Sequence, residues 1–457
     1  MISAPSRRLL LNGNNLLVLL FILVGISSCA AKKITASELS TSSGKNMEVV
    51  SINTPKETAA LVMDDSFNRK PVIFDLDSES ASPKPEQTEP VSLKTQDGIY
   101  NVAVMLPFNL DQIPLGKYAD DTTKQLSIDS KNAIEFYLGC QMAREKFEGK
   151  KSTTNVYFLD SKNDSSTMEA LFQHKPFPNV DYIIGPLYFT TLSLAADLAK
   201  QRGIPMISPL ANSMYIRNNP FYYNANASLR GQYSFLLETI KTSYPGKTVE
   251  VIYDGKDSLA ESIQTLKDIA GNYFSYGNIS FTSLQTWEDV TKTMVKPDSV
   301  SERVILIYSS KESYVKTILA KLKPIKNPLR IFTSSCLKNA KSPVDSKFPH
   351  SVFTTYPYNN KTPNAAVFAA KYEEKFIKKP SEIAYQGYDI MTYLFQIIEN
   401  NRELSNSTFN FSNNFDLTQI KLQFKPVLNK NGEINYYDNT IVYLYKYVNG
   451  IFEIATP

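Results

Sequence analysis

Residues 182–212 read YIIGPLYFTTLSLAADLAKQRGIPMISPLAN, and this stretch decides the fold class. The largely apolar runs at 180–185 and 204–208 have the length of buried strands, and residues 191–201 between them have the period of a helix. Strands that alternate with helices at this spacing indicate a parallel sheet with helices on its faces. The stretch therefore predicts a strand–helix–strand unit of an α/β fold.

The same alternation continues on both sides of this unit. Further strands are predicted at 100–108, 155–160, 248–253, 280–284, 302–309, 329–334 and 351–356. Further helices are predicted at 127–146, 166–172, 259–270, 313–322, 365–376 and 381–400. Partly alternating apolar positions predict three last strands at 418–424, 433–437 and 440–447, with tight turns at Gly432 and Gly450. The simplest architecture is two Rossmann-like lobes finished by antiparallel strands.

The domain organisation follows from these elements. Residues 97–220 are predicted to form lobe 1, to which residues 350–400 return. Residues 221–349 are predicted to form lobe 2, to which the strands of residues 401–457 contribute. Before them, residues 29–96 are dominated by Ser, Thr, Glu, Lys and Pro, and such a segment buries too little apolar surface to offset its ordering entropy. That segment is interpreted as a flexible linker.

Two turns in the opening stretch have a physical reason of their own. Gly185 lets the backbone turn sharply at the carboxyl end of a strand, and Pro186 fixes the exit. The turn leads into a helix N-terminus, whose free N–H groups suit an anion such as a carboxylate. Ser208 and Pro209 form the same kind of turn one strand later.

These turns predict where a ligand would bind. Ligands of open α/β sheets bind outside the carboxyl ends of the strands, so a two-lobed protein places its site between the facing loops. The candidate ligand-binding residues on these loops are Tyr188, Thr190, Ser208, Asn212, Tyr253 and Ser309. The alternative is that each of them is merely a turn residue.

The stretch 182–212 is similar to the central segment of type 1 periplasmic binding proteins, the fold of the branched-chain amino acid receptors. In that family one strand ends in Gly-Pro and the next in Ile-Pro-x-Ile-Ser-Pro. Residues 384–389 (AYQGYD) look like the family's Tyr-x-x-Tyr-Asp helix start, and the turns at Gly432 and Gly450 match its C-terminal strands. The resemblance covers about residues 97–457 and implies two lobes that close on a ligand by hinge motion.

The sequence departs from that family where the ligand carboxylate would bind. The amino-acid receptors place small hydroxyl residues after both turns, whereas Leu187, Tyr188 and Phe189 follow the first turn here. Leu210 and Ala211 follow the second. Bulky aromatic side chains would narrow the pocket, so a free α-amino acid is a doubtful ligand, and the cleft either takes another ligand or is vestigial.

The N-terminus predicts a lipid anchor. Arg7 and Arg8 precede an apolar run at 16–26, which is too short for the roughly 20 residues of a membrane span. The run ends in Ile-Ser-Ser-Cys29, which resembles a bacterial lipobox and makes residues 1–28 a signal peptide. The alternative is an ordinary buried cysteine after a cleaved signal. No aspartate follows Cys29, which by resemblance to sorting signals favours the outer membrane, with the protein facing the periplasm.

Composition and absent motifs exclude several function classes. The chain is 42% hydrophobic and 12% aromatic, and its net charge of +4 forms no basic block, so nucleic-acid binding is not expected. No hydrolase, metal or nucleotide motif is present, and both His174 and His350 are expected in loops. We therefore expect neither catalysis nor a cofactor or metal. Cys140 and Cys336 are expected as buried thiols rather than a disulfide.

Two functions remain. The first is a solute-binding lipoprotein that takes a small polar ligand and serves a permease. The second is a scaffold or regulator, because the fold also resembles the C-terminal domain of outer-membrane lipoproteins that activate peptidoglycan-synthesising penicillin-binding proteins. Residues 105–107 (MLP) and 185–187 (GPL) look like segments found in both groups.

Overall fold

The computed structural model describes residues 99–112, 126–150, 153–173, 177–211, 216–255, 260–283, 302–338, 340, 347–400, 415 and 417–455. The predicted signal peptide, Cys29 and the predicted linker lie outside these residues. Within the described ranges, no helix is long and apolar enough to cross a membrane.

Helices and strands alternate along much of the described chain. In order they are β1 (Ile99–Leu106), α1 (Ile128–Phe147), β2 (Thr153–Asp160), α2 (Ser165–Gln173), β3 (Tyr182–Ile184), α3 (Leu192–Gln201), β4 (Met206–Ser208), β5 (Tyr222–Asn224), α4 (Leu229–Ser243), β6 (Val249–Tyr253), α5 (Ala260–Gly271), β7 (Ile279–Ser283), β8 (Arg303–Tyr308), α6 (Glu312–Leu322), β9 (Leu329–Thr333), β10 (Ser351–Tyr356), α7 (Pro363–Phe376), α8 (Glu382–Asn400), β11 (Phe424–Leu428), β12 (Ile434–Asn439), β13 (Tyr443–Val448) and β14 (Ile451–Ile454).

The strands form two seven-stranded sheets, one in each lobe. Sheet 1 has the order β2-β1-β3-β4-β5-β12-β11, and sheet 2 has the order β7-β6-β8-β9-β10-β13-β14. The first five strands of each sheet run parallel. The predicted α/β fold with two Rossmann-like lobes is therefore confirmed.

The central strands are largely apolar because both of their faces are covered. In β8, Val304 and Leu306 belong to one hydrophobic cluster, whereas Ile305 and Ile307 belong to another. Successive side chains of a strand point to opposite faces, so the two clusters lie on the two sides of sheet 2. An unbroken apolar run is what a parallel sheet buried on both faces requires.

The chain crosses between the lobes at three segments. Crossing 1 (residues 225–228) joins β5 of sheet 1 to α4, which packs in a hydrophobic cluster with β6 and β8 of sheet 2. Crossing 2 (residues 357–362) joins β10 of sheet 2 to α7, and crossing 3 (residues 440–442) joins β12 to β13. Helices α7 and α8 belong to lobe 1, because Tyr372 of α7 donates a hydrogen bond to Glu135 of α1, on which α8 packs.

Glycine lets α1 and α8 pack backbone against backbone. A Cβ atom on Gly139 would lie 2.0 Å from the Ala384 carbonyl oxygen, and one on Gly387 would lie 2.1 Å from that of Phe136. Real Cβ atoms do not approach this closely, so both positions need glycine. Gly387 lies in the AYQGYD segment, which gives this part of the resemblance a packing reason.

The lobe bounds differ from the predicted ones. Strand β5 extends lobe 1 beyond residue 220, and β10 belongs to sheet 2, so only α7 and α8 of residues 350–400 return to lobe 1. Of the four last strands, β11 and β12 join sheet 1, and only β13 and β14 join the predicted lobe 2. The sheet that a strand joins depends on partners distant in sequence, which local patterns do not report.

Four elements were missed, and one predicted strand is misplaced. Strands β5, β11 and β14 and helix α4 were not predicted, although Ser228 caps α4 by accepting a hydrogen bond from the Gly231 N–H. Residues 418–423 form no strand, and β11 begins only at Phe424, the last residue of the predicted strand 418–424. The backbone N–H groups of Thr418, Gln419 and Ile420 donate to the Asp389 carboxylate instead.

Candidate functional site

The turn after β3 confirms the structural reason given for Gly185. Its φ is +106°, in the region that favours glycine, and a Cβ atom there would lie 2.4 Å from the Met105 carbonyl oxygen. Strand β1 thus approaches this turn too closely for any side chain. The turn places residues 187–191 at the carboxyl edge of sheet 1.

Tyr188 is anchored on the wall of lobe 1. Its hydroxyl accepts a 2.9 Å hydrogen bond from the Asn132 side chain in the second turn of α1. Burial of the half-exposed ring raises the pKa of Tyr188 to about 12, so the phenol is neutral at physiological pH. Thr190 is exposed on the same loop. An aromatic ring therefore follows the Gly185–Pro186 turn on this wall.

Ser208 closes its own turn. The side chain is fully buried, and its hydroxyl donates to the Ala211 carbonyl three residues later. The Ser208 carbonyl accepts a hydrogen bond from the Ala225 N–H at 3.0 Å. Asn212 lies outside the described residues.

Ser309 is engaged in the same way in lobe 2. Its backbone N–H donates to the Tyr233 hydroxyl at 3.1 Å, and its hydroxyl accepts from the Lys311 N–H at 3.0 Å. Its carbonyl accepts the Ser334 hydroxyl at 2.7 Å. Tyr253, at the end of β6, is half-buried against the hydrophobic cluster of lobe 2.

The structure brings the predicted residues together within each lobe. Tyr188 and Thr190 follow β3 and Ser208 ends β4, and these two strands pair in sheet 1. Tyr253 ends β6 and Ser309 follows β8, its neighbour in sheet 2. All five therefore lie at carboxyl edges of their sheets, and their role in binding a ligand stays a prediction.

A partly buried polar cluster between the lobes was missed. The Tyr356 hydroxyl, at the end of β10, lies 2.8 Å from both carboxyl oxygens of Glu382 in the first turn of α8. Burial raises the pKa of Glu382 to about 7, although the Tyr356 hydrogen bond and the Lys338 charge oppose that rise. The Lys338 ammonium lies 5.0 Å and 4.6 Å from the ring centres of Tyr356 and Tyr445. A glutamate in a first helical turn is common on surfaces, so the sequence carried no signal for this cluster.

The described residues show no constellation for metal chemistry. Within them, no group of three His, Cys, Asp or Glu side chains could hold a metal ion. His350 lies in a loop with its Nε2 atom 3.0 Å from the Leu322 carbonyl oxygen, and His174 lies outside the described residues.

Neither remaining cysteine is paired in a disulfide. Cys140 is buried and donates to the Gly387 carbonyl, and burial raises the pKa of its thiol. Cys336 is half-buried, and burial raises the pKa of its thiol to about 11. Both thiols are therefore protonated at neutral pH and poor nucleophiles.

Comparison with known proteins places this fold among solved structures. No protein-family model and no curated protein sequence matches the chain. An ABC transporter substrate-binding protein from Desulfitobacterium hafniense is 15% identical over 78% of this chain and 100% of its own, with a TM-score of 0.52. A protein from Rhodospirillum rubrum assigned to branched-chain amino acid ABC transport is also 15% identical with the same coverage, at a TM-score of 0.57.

A regulator shows the same degree of likeness. The C-domain of LpoA from Haemophilus influenzae, a regulator of PBP1A, is 13% identical over 78% of this chain and 100% of its own, with a TM-score of 0.51. Both resemblances found in the sequence are therefore present in three dimensions. The chain has the two-lobed α/β fold that ABC substrate-binding proteins share with the LpoA C-domain.

Proposed function

We propose that this chain is a non-catalytic binding lipoprotein of the bacterial envelope, which takes a small polar ligand between its two lobes. The observation that carries the proposal is the shared fold with substrate-binding proteins, in which both sheets present loops at the carboxyl ends of parallel strands. Tyr188, Thr190 and Tyr253 are the side chains best placed to contact a ligand.

The chemistry of these loops narrows the ligand class. The Ser208 and Ser309 hydroxyls form hydrogen bonds within their own turns. Tyr188 presents a neutral phenol and Thr190 an exposed hydroxyl. These groups suit a neutral hydroxyl-bearing or amide-bearing ligand better than the carboxylate of a free amino acid.

A scaffold or regulator of peptidoglycan synthesis is the second candidate. The engaged Ser208 and Ser309 hydroxyls and the likeness to the LpoA C-domain favour it. In this role the lobes bind a penicillin-binding protein rather than a solute, and the cleft needs no occupant.

Both candidates share one location. A lipid on Cys29 and the linker of residues 29–96 would hold the lobes in the periplasm at a distance from the outer membrane. Solute binding adds a permease as a partner, whereas regulation adds a cell-wall synthase.

A thermal-shift screen of the full-length protein in detergent separates the candidates. The panel holds amino acids, short peptides, muropeptides and sugars, and a ligand at 100 times its Kd adds about 2.7 kcal/mol of stability. A solute-binding protein gives a hit that weakens in Tyr188→Phe but not in Tyr157→Phe, a control on β2. If a well-folded protein responds to nothing in the panel, the solute-binding proposal fails and pull-downs with penicillin-binding proteins test the second.

A further inference from the structure

The three crossings between the lobes are tied together by side chains. We propose that buried hydrogen bonds brace them into one joint that holds the lobes at a single relative orientation, with Asp438 as the residue on which the joint depends. This inference concerns the joint itself and holds for either proposed function.

Asp438 attaches lobe 1 to a helix of lobe 2. It lies in β12, is 3% exposed, and accepts hydrogen bonds from Ser228 on both carboxyl oxygens, from the N–H at 3.1 Å and from the hydroxyl. Ser228 ends crossing 1 and also caps α4, because its hydroxyl oxygen accepts the Gly231 N–H at 3.2 Å. One carboxylate in lobe 1 thus holds the first turn of a lobe 2 helix. The fit is close, since a Cβ atom on Gly231 would lie 3.0 Å from the Asp438 Oδ2 atom.

The next residue ties crossing 1 to crossing 3. The buried Asn439 side chain donates to the carbonyls of Ala225 at 2.9 Å and Lys421 at 3.0 Å. Its oxygen accepts from the N–H groups of Gln423 at 3.0 Å and Ile441 at 3.2 Å. This amide therefore uses both its donors and accepts two bonds, and it holds both crossings against lobe 1.

Crossing 2 is anchored on both of its sides. The Tyr358 carbonyl accepts a 2.7 Å hydrogen bond from the Tyr445 hydroxyl of β13 in lobe 2. The Asn359 N–H donates at 2.8 Å to the Gln419 carbonyl, in the segment that Asp389 of lobe 1 holds. The Tyr356–Glu382 hydrogen bonds add a direct link between the lobes beside this crossing.

These ties oppose hinge motion. Domain closure is absorbed by φ and ψ changes in a few connecting residues. Here crossings 1 and 2 are hydrogen-bonded to both lobes, and crossing 3 is hydrogen-bonded to lobe 1. Rotation of one lobe would strip the buried Asp438 carboxylate of both hydrogen bonds from Ser228, and the loss of donors to a buried carboxylate is unfavourable. The cleft is therefore preformed, and a ligand or partner binds it without closing the lobes.

Spin-label distances test the brace in the full-length protein. Labels at Lys200→Cys on α3 and Ala320→Cys on α6 report on one exposed site in each lobe, and single-label samples identify any signal from the native cysteines. We expect one narrow distance distribution that broadens in Asp438→Ala. Ser127→Ala is the matched control, because Ser127 caps α1 by accepting the Ser130 N–H and touches no crossing.

Two results would overturn the proposal. One is a broad or two-peaked distribution in the otherwise unaltered protein. The other is an Asp438→Ala distribution no wider than that of Ser127→Ala. If Asp438→Ala does not fold, Ser228→Ala removes the same tie from the other side and is judged by the same two outcomes.

Discussion

The two lobes share one strand order, but they differ in the direction of the sixth strand. In lobe 1, β12 runs parallel to β5, whereas in lobe 2, β13 runs antiparallel to β10. Each sheet is completed by a hairpin, and the inner strand is the second of its hairpin in lobe 1 but the first in lobe 2. Because the strands of a hairpin run in opposite directions, this choice reverses the sixth strand.

The difference follows from the short third crossing. The inner strands β12 and β13 are consecutive in the chain and are joined by residues 440–442 alone. A crossing this short requires the end of β12 and the start of β13 to lie together at the joint. The edge strands β11 and β14 therefore lie on the outer sides of β12 and β13. The joint therefore decides the direction of the sixth strands, and the sheets accept either direction.

The lobes also differ in their helices, and the prediction with the largest expected effect disrupts the packing of a helix that only lobe 1 receives. Only lobe 1 receives the returning α8, so Gly387→Ala drives a Cβ atom into the Phe136 carbonyl and should cost about 3 kcal/mol or more of unfolding free energy. Urea denaturation measures the loss. Gly271→Ala is the control, because it ends α5 in lobe 2 and a Cβ atom there meets nothing within 4 Å. Equal effects of the two substitutions would show that α8 does not pack as described.

A second, smaller effect concerns the acids of lobe 1. Burial raises the pKa of Glu382 to about 7 and that of Asp389 and Asp438 to about 6, and it also raises that of Asp181. All four lie in or beside elements of lobe 1. Between about pH 4 and pH 7 the folded state therefore binds more protons than the unfolded state, and the free energy of unfolding falls as the pH rises.

For Glu382 alone the expected fall between pH 5 and pH 7 is on the order of 2 kcal/mol, because its pKa is raised to about 7 and one pKa unit corresponds to about 1.4 kcal/mol. Urea denaturation at pH 5, 6, 7 and 8 measures it. Glu382→Gln should flatten the curve below pH 7, and Glu374→Gln on the exposed face of α7 serves as its control. Stability that rises with pH over this range would contradict the assignment of these acids.

The smallest expected effect compares one serine in each lobe. Ser208→Ala and Ser309→Ala should each cost about 1 kcal/mol of stability, because their hydroxyls form hydrogen bonds within turns. Neither substitution should weaken the binding of a ligand found by thermal shift as much as Tyr188→Phe does. A serine variant that folds normally yet loses the ligand would restore that hydroxyl as a binding group.

The sequence alone was a sound guide to local structure. Apolar runs and helical periods located most of the elements, and Gly185 and Gly450 marked turns that do have positive φ, because these signals depend on neighbouring residues. The AYQGYD motif at 384–389 was also recognisable. In the structure, however, Gly387 serves helix packing, and the Asp389 carboxylate accepts hydrogen bonds from the backbone of residues 418–420. A motif that identifies the fold thus says little about the ligand.

The tertiary structure decided the rest. Whether β11 and β12 join lobe 1 or lobe 2, and whether the Ser208 hydroxyl faces a cleft or its own turn, depends on contacts that no local pattern reports. The Ser228–Asp438 tie joins residues 210 positions apart. Periodicity is a property of neighbouring residues, whereas strand partnership, burial of an acid and the bracing of a joint arise only when distant segments meet.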